Sequence, residues 1–107
     1  TYNMENLTNE QWQERLAKDE NAVVLDVRTQ EEVDEGVIPN AQHLDIYDSA
    51  GFMQGVQEMD KSKSYYVYCR SGGRSQQACM LMNQMGIENT YNLKTGFSEW
   101  DGETSKL

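Results

Sequence analysis

The chain has 107 residues and a net charge of −9, from 18 acidic and 9 basic side chains. That length suits one domain with one core, and the charge argues against nucleic-acid and membrane-surface roles because it repels phosphate backbones and anionic lipid. Two cysteines and one histidine are too few for a disulfide framework or a zinc cluster, and no apolar run is long enough to span a bilayer. A monomeric protein of the reducing cytoplasm, without cofactor or metal, is expected. Its single domain covers residues 1–107, with a core over 6–101 and tails at 1–5 and 102–107. The terminal Ser105-Lys106-Leu107 matches a peroxisomal address and is read here as chance.

Taken in chain order, Thr8 and Gln11 form a capping-box pattern that opens a helix over 9–18, with Trp12 and Leu16 on one face. "NAVVLDV" is continuously apolar, as in a strand buried on both faces. Thr29 and Glu32 repeat the capping box, and Gly36 ends that helix. "VIPNAQHLDI" starts extended at Ile-Pro and becomes a strand near Gln42 to Asp45. Phe52, Val56 and Met59 mark a third helix. "YYVYC" is the strongest strand. Ser75 to Met85 is helical, with Ala78, Cys79, Met82 and Met85 inward and Gly86 as its stop. "NTYNL" is a last short strand and "GFSEW" a helical turn. Strands alternating with helices predict an α/β domain with a largely parallel sheet. Ligands bind such sheets beyond the carboxyl ends of the strands.

At that edge lies "CRSGGRS", Cys69 to Ser75. Two of the chain's four arginines, Arg70 and Arg74, fall in this span of an acidic protein. Gly72 and Gly73 permit positive φ, so successive N–H groups can face inward as an anion nest. The helix that follows adds unsatisfied N–H groups and partial positive charge. An arginine about 6 Å from the sulfur would contribute roughly 3 kcal/mol toward the thiolate at an effective dielectric near 20. Cys69 is therefore the candidate nucleophile, and Arg70, Ser71, Gly72, Gly73, Arg74 and Ser75 are the candidate donor-binding loop. Cys79, on the apolar side of its helix, reads as packing. Asp26 and Arg28 end a neighbouring strand and read as structural support, Glu32 as cap and ion-pair partner, and His43 as a strand-end residue rather than a base.

The stretches "VVLDVRTQEEVDEGVIPNAQHLDI" and "YYVYCRSGGRS…LMNQMGIENTYNLKTGFSEW" resemble the rhodanese family, the single-domain sulfurtransferases, from about Ala22 to Trp100. Asp26, Val27, Arg28 and Glu32 match its first motif, Gly36, Ile38, Pro39 and Ala41 its second, and Gly96 and Trp100 its last. Val37 stands where many members have histidine, Asn40 and Thr95 where many have glycine, and Val33 where an aromatic is common. The resemblance implies a three-layer domain with a sheet of roughly five strands. It also implies covalent sulfur transfer. The Cys69 thiolate takes the sulfane sulfur of thiosulfate or a similar donor as a persulfide and passes it to cyanide or a thiol. A persulfide carrier or interaction module with poor thiosulfate turnover, serving a protein donor or acceptor, is the alternative. A cysteine phosphatase or arsenate reductase is disfavoured. Cys69 and Arg74 enclose four residues, one fewer than usual there, and tyrosine rather than histidine precedes the cysteine.

Overall fold

The computed structural model describes residues 3–107. In chain order the elements are β1 (Asn3–Leu7), α1 (Asn9–Lys18), β2 (Ala22–Asp26), α2 (Gln30–Asp34), β3 (Gln42–His43), α3 (Ser49–Gln57), β4 (Ser64–Tyr68), α4 (Gly73–Gln84) and β5 (Asn89–Leu93). A 3-10 turn follows at Phe97–Glu99. The strands form one parallel sheet in the order β1-β5-β4-β2-β3, so the α/β, five-stranded expectation holds. This order sets the carboxyl ends of β2, β4 and β5 side by side.

Both capping boxes are present as read: Thr8 accepts from the Gln11 N–H and Thr29 from the Glu32 N–H, each reciprocated by the later side chain. The period of two along β4 sorts the core into two layers. Tyr65, Val67 and Cys69 pack with Phe52 and Val56 of α3 and Ala78, Cys79 and Met82 of α4. Tyr66 and Tyr68 pack on the other side with Trp12 of α1 and Val33 of α2. Trp12 meets Tyr66, Tyr68 and Trp100 edge to face at 5.8, 6.3 and 5.7 Å. The alternation also directs Cys69 into the layer shared with α4.

Three sequence expectations are revised. Residues 3–5, read as tail, belong to β1, a polar edge strand that pairs in parallel with β5. Its "NMENL" lacks an apolar run, and only Leu7 of the strand is buried. The 102–107 tail folds back: Ser105 and Val37 exchange backbone hydrogen bonds of 2.9 and 2.8 Å. β3 spans two residues rather than four; beyond it, Leu44 and Ile46 each donate one bond to Asp26 and Val27 as the chain leaves the sheet. Asn40, at a position where glycine was expected, adopts φ 69°, a conformation asparagine tolerates better than most side chains.

Where β2 ends, Arg28 and Asp26 form a buried ion pair, with Arg28 Nη2 2.7 Å and Nε 3.0 Å from Asp26 Oδ2. Arg28 Nη2 also donates to the Gly36 carbonyl at 2.6 Å, and its guanidinium lies over the rings of Phe97 at 4.3 Å and Tyr68 at 5.5 Å. The pair thus ties β2, β4, the α2 exit and the 3-10 turn together. Breaking such a pair strands a charge, whereas replacing both members removes the desolvation cost with them. Arg28→Met should therefore cost about 3–5 kcal/mol, and Asp26→Leu/Arg28→Met should recover most of it. Thermal unfolding midpoints of the three proteins check this; a double variant no better than the single would assign the loss to the stacking and carbonyl contacts instead.

Candidate active site

β4 delivers Cys69 to the sheet edge, and α4 begins four residues later at Gly73. The turn between them works because Gly72 adopts φ 98°, a left-handed conformation that costs glycine little. A Cβ there would also lie 2.1 Å from the Lys94 carbonyl oxygen. Gly72 is the N-cap of α4 and supplies no side-chain cap. Its place is taken by the sulfur: Cys69 Sγ accepts from the Gly72 N–H at 3.2 Å, the Ser75 N–H at 3.3 Å and the Ser75 hydroxyl at 3.3 Å. Two of the orphan donors of the helix start, the Gly72 and Ser75 N–H groups, are thereby satisfied by the cysteine.

Burial by itself would push the Cys69 thiol upward, since its residue is 0% exposed. Hydrogen bonds from the Ser75 hydroxyl and from the N–H groups of Ser75, Ser71 and Gly72 outweigh it and bring the thiol below its ordinary value. The leading counterweights are these bonds, from the N–H nest expected of the loop and the helix start, rather than the arginines also expected to contribute. The loop donors touch the sulfur, whereas Arg74 is bound by Glu32 and Arg70 is exposed. Cys79 shows the contrast. It lies in the same apolar layer, and burial, only partly offset by a hydrogen bond from Thr90, pushes its thiol up to about 12.

A second segment clamps the loop. The Phe97 N–H donates to the Cys69 carbonyl at 2.8 Å and the Ser98 N–H to the Arg70 carbonyl at 3.0 Å. Gly96, with φ 72°, permits this approach, because a Cβ there would stand 2.3 Å from the Arg70 oxygen. Gly73, in contrast, has open space where a Cβ would go.

The candidate residues separate by role. Arg74 is bound bidentately by Glu32, at 2.8 and 3.0 Å, and lies 5.4 Å from the centre of the Tyr47 ring. The Arg74 hydrogen bonds hold the Glu32 carboxyl at about 2 despite partial burial, so the pair is ionised at any working pH. Arg70 and Ser71 are exposed. Arg70 borders a shallow cavity of about 270 Å³ with Arg28, Glu32, Glu35, Phe97 and Ser98. Arg15, Arg28 and Arg74 each have a carboxylate partner, and among the described residues none pairs with the Arg70 guanidinium. Asp26 and Arg28 hold each other beside the loop, and His43 Nε2 sits 2.6 Å from the Arg28 carbonyl oxygen. Sequence reading passed over Asn92, whose side chain reaches the Gly72 carbonyl at 3.1 Å. Its signal was a polar residue in a buried strand. Among the described residues, no group of three or more His, Cys, Asp or Glu side chains is placed to hold a metal ion, and no helix is long and apolar enough to cross a membrane.

Comparison with known proteins identifies the family of the fold. The family model for the rhodanese-like domain matches residues 8–103. A Bacillus subtilis protein, YtwF, whose sulfurtransferase name is itself provisional, is 38% identical over 85% of this chain and 84% of its own. The thiosulfate sulfurtransferase GlpE of Coxiella burnetii is 34% identical over 85% of this chain and 80% of its own. The solution structure of the rhodanese-like domain of Alr3790 from Anabaena superposes with a TM-score of 0.80 at 26% identity, covering 95% of this chain and 79% of that one. With a parallel sheet, a cysteine at the end of its central strand and a match over nearly its whole length, the chain belongs to the rhodanese-like domain family of sulfurtransferases.

Proposed function

We propose that this protein is a thiosulfate-type sulfurtransferase in which Cys69 carries the sulfur as a persulfide. The observation that supports this most is the set of three donors converging on Cys69 Sγ at the start of α4. The Cys69 thiolate attacks the sulfane sulfur of the donor. A new S–S bond forms, the bond from that sulfur to the sulfonate group breaks, and sulfite leaves with the electron pair. The negative charge then resides on the outer sulfur. A thiolate or cyanide attacks that outer sulfur, the persulfide bond breaks, and its electron pair returns to Cys69 as thiolate. Neither step needs a general base, because the loop donors already favour the thiolate. Preorganised N–H groups stabilise the anion without reorganising during transfer.

Cys69 lies beneath its loop rather than at the surface, so the exposed rim of Arg70 and Ser71 must shift as a donor reaches the sulfur. Arg70 is the cation in position to meet an anionic donor, and Arg74 serves to brace the loop against α2. Partners on this reading are a small anionic sulfur donor and a thiol or cyanide acceptor.

Incubation with thiosulfate, followed by intact mass, should show the gain of one sulfur atom by the parent protein and none by Cys69→Ser. If no sulfane donor adds sulfur, the proposal fails. Efficient loading by a protein persulfide together with negligible thiosulfate turnover would replace it with the sulfur-carrier reading. The two arginines should also divide. Arg70→Ala should lower kcat/KM for thiosulfate by roughly tenfold, the scale of one charge-assisted contact, and leave an uncharged persulfide donor nearly unaffected. Arg74→Ala should lower both together, with a fall in thermal stability. Steady-state rates with the two donors check this, and equal losses for Arg70→Ala would remove it from donor recognition.

A further inference from the structure

The Ser75 hydroxyl has one proton and two acceptors within reach, Cys69 Sγ at 3.3 Å and the Gly72 carbonyl at 3.2 Å. It can donate to only one of them at a time. The Gly72 carbonyl is thus a competitor for a proton that stabilises the sulfur. Two other donors already bind that carbonyl: the Gln76 N–H at 3.1 Å and Asn92 Nδ2 at 3.1 Å. A carbonyl oxygen has two lone pairs, and two donors fill them.

Asn92 is held for this task from β5. Its amide also donates to Asn6 Oδ1 of β1 at 2.8 Å. The residue is 1% exposed, and its own Oδ1 is buried without a partner among the described residues. An orphaned buried acceptor lowers stability, and a leucine there would avoid that penalty. A locally unfavourable choice beside a reactive group is where function and stability diverge. Removing the side chain would leave little else unsatisfied. Gly72 O would keep the Gln76 donor, and Asn6 lies at an exposed position where water can reach it.

We propose that Asn92 is a positioning residue of the Cys69 site: by filling the Gly72 carbonyl it leaves the Ser75 hydroxyl proton to the sulfur. This deepens the sulfurtransferase reading and takes its purpose from it, but the competition for the proton exists whatever Cys69 reacts with. Arg74 and Cys79 of α4 are titratable groups whose charge couples to Cys69. Arg74 is occupied by Glu32, and neither bonds to Asn92.

The test is the pH profile of iodoacetamide alkylation, followed by mass at the Cys69 peptide, for the parent, Asn92→Leu, Ser75→Ala and the double variant. Asn92→Leu should move the profile to higher pH and slow alkylation near pH 7 roughly three- to tenfold, up to the value of one hydrogen bond to a charged sulfur. Its thermal midpoint should hold or rise. Ser75→Ala should slow alkylation in the same direction, and the double variant should be no slower than Ser75→Ala alone. An unchanged profile in folded Asn92→Leu, or losses that add in the double variant, would overturn the proposal. Should Asn92→Leu not fold, Asn6→Ala releases the other amide proton of Asn92. A smaller upward shift is then expected, and no shift overturns the idea. Sulfur uptake from thiosulfate by the parent is read separately, so a shift in alkylation without uptake would sink the sulfurtransferase reading and spare this one.

Discussion

The site depends on one arrangement: the sulfur of Cys69 occupies the place where a helix N-cap side chain would otherwise bond. A parallel strand feeding a helix leaves unsatisfied N–H groups at the carboxyl edge of the sheet. In α4 no serine, threonine or aspartate takes them, because Gly72 is the N-cap. The donors turn to the preceding cysteine instead. Burial alone would push that thiol up, as it does for Cys79 in the same layer. Direct hydrogen bonds decide between the two cysteines.

Around this arrangement the protein uses its acidic surplus to hold most of its arginines. Glu5 pairs with Arg15, Asp26 with Arg28 and Glu32 with Arg74. The Asp26–Arg28 pair, stacked on Tyr68 and Phe97, secures the strand end before the loop and the turn that clamps it from above. Glu32 carries two duties in one carboxylate: it completes the cap of α2 at Thr29 and anchors Arg74 at the head of α4. Among the described residues, no carboxylate pairs with Arg70 at the rim. The loop is thus braced by the 3-10 turn, by α2 through Arg74 and by β5 through Asn92.

How much of this was legible follows from the range of each interaction. The capping boxes at Thr8 and Thr29 span three residues, and both helices start as read. "YYVYC" is apolar on both faces because both faces of β4 are covered, and the same alternation predicts where Cys69 points. β1 was missed because "NMENL" is an edge strand whose stability comes from β5, some 86 residues away in the chain. The shortness of β3 was hidden for a similar reason, since its partners are set by β2. Asn92 looked like an ordinary polar residue in a short strand until α4 folded over it.

By itself, the sequence determined the local elements: a cysteine ending a buried strand, glycines able to turn the chain back, and a helix ready to begin after them. These rest on backbone conformational preference and on periodicity within a few residues. Tertiary structure decided how the charges are assigned. From spacing alone, Arg70 and Arg74 were equivalent cations beside a sulfur. Glu32, distant by 42 residues, claims Arg74 and leaves Arg70 free. The carboxylate bonds the guanidinium directly, and no local pattern states which carboxylate the fold will bring there.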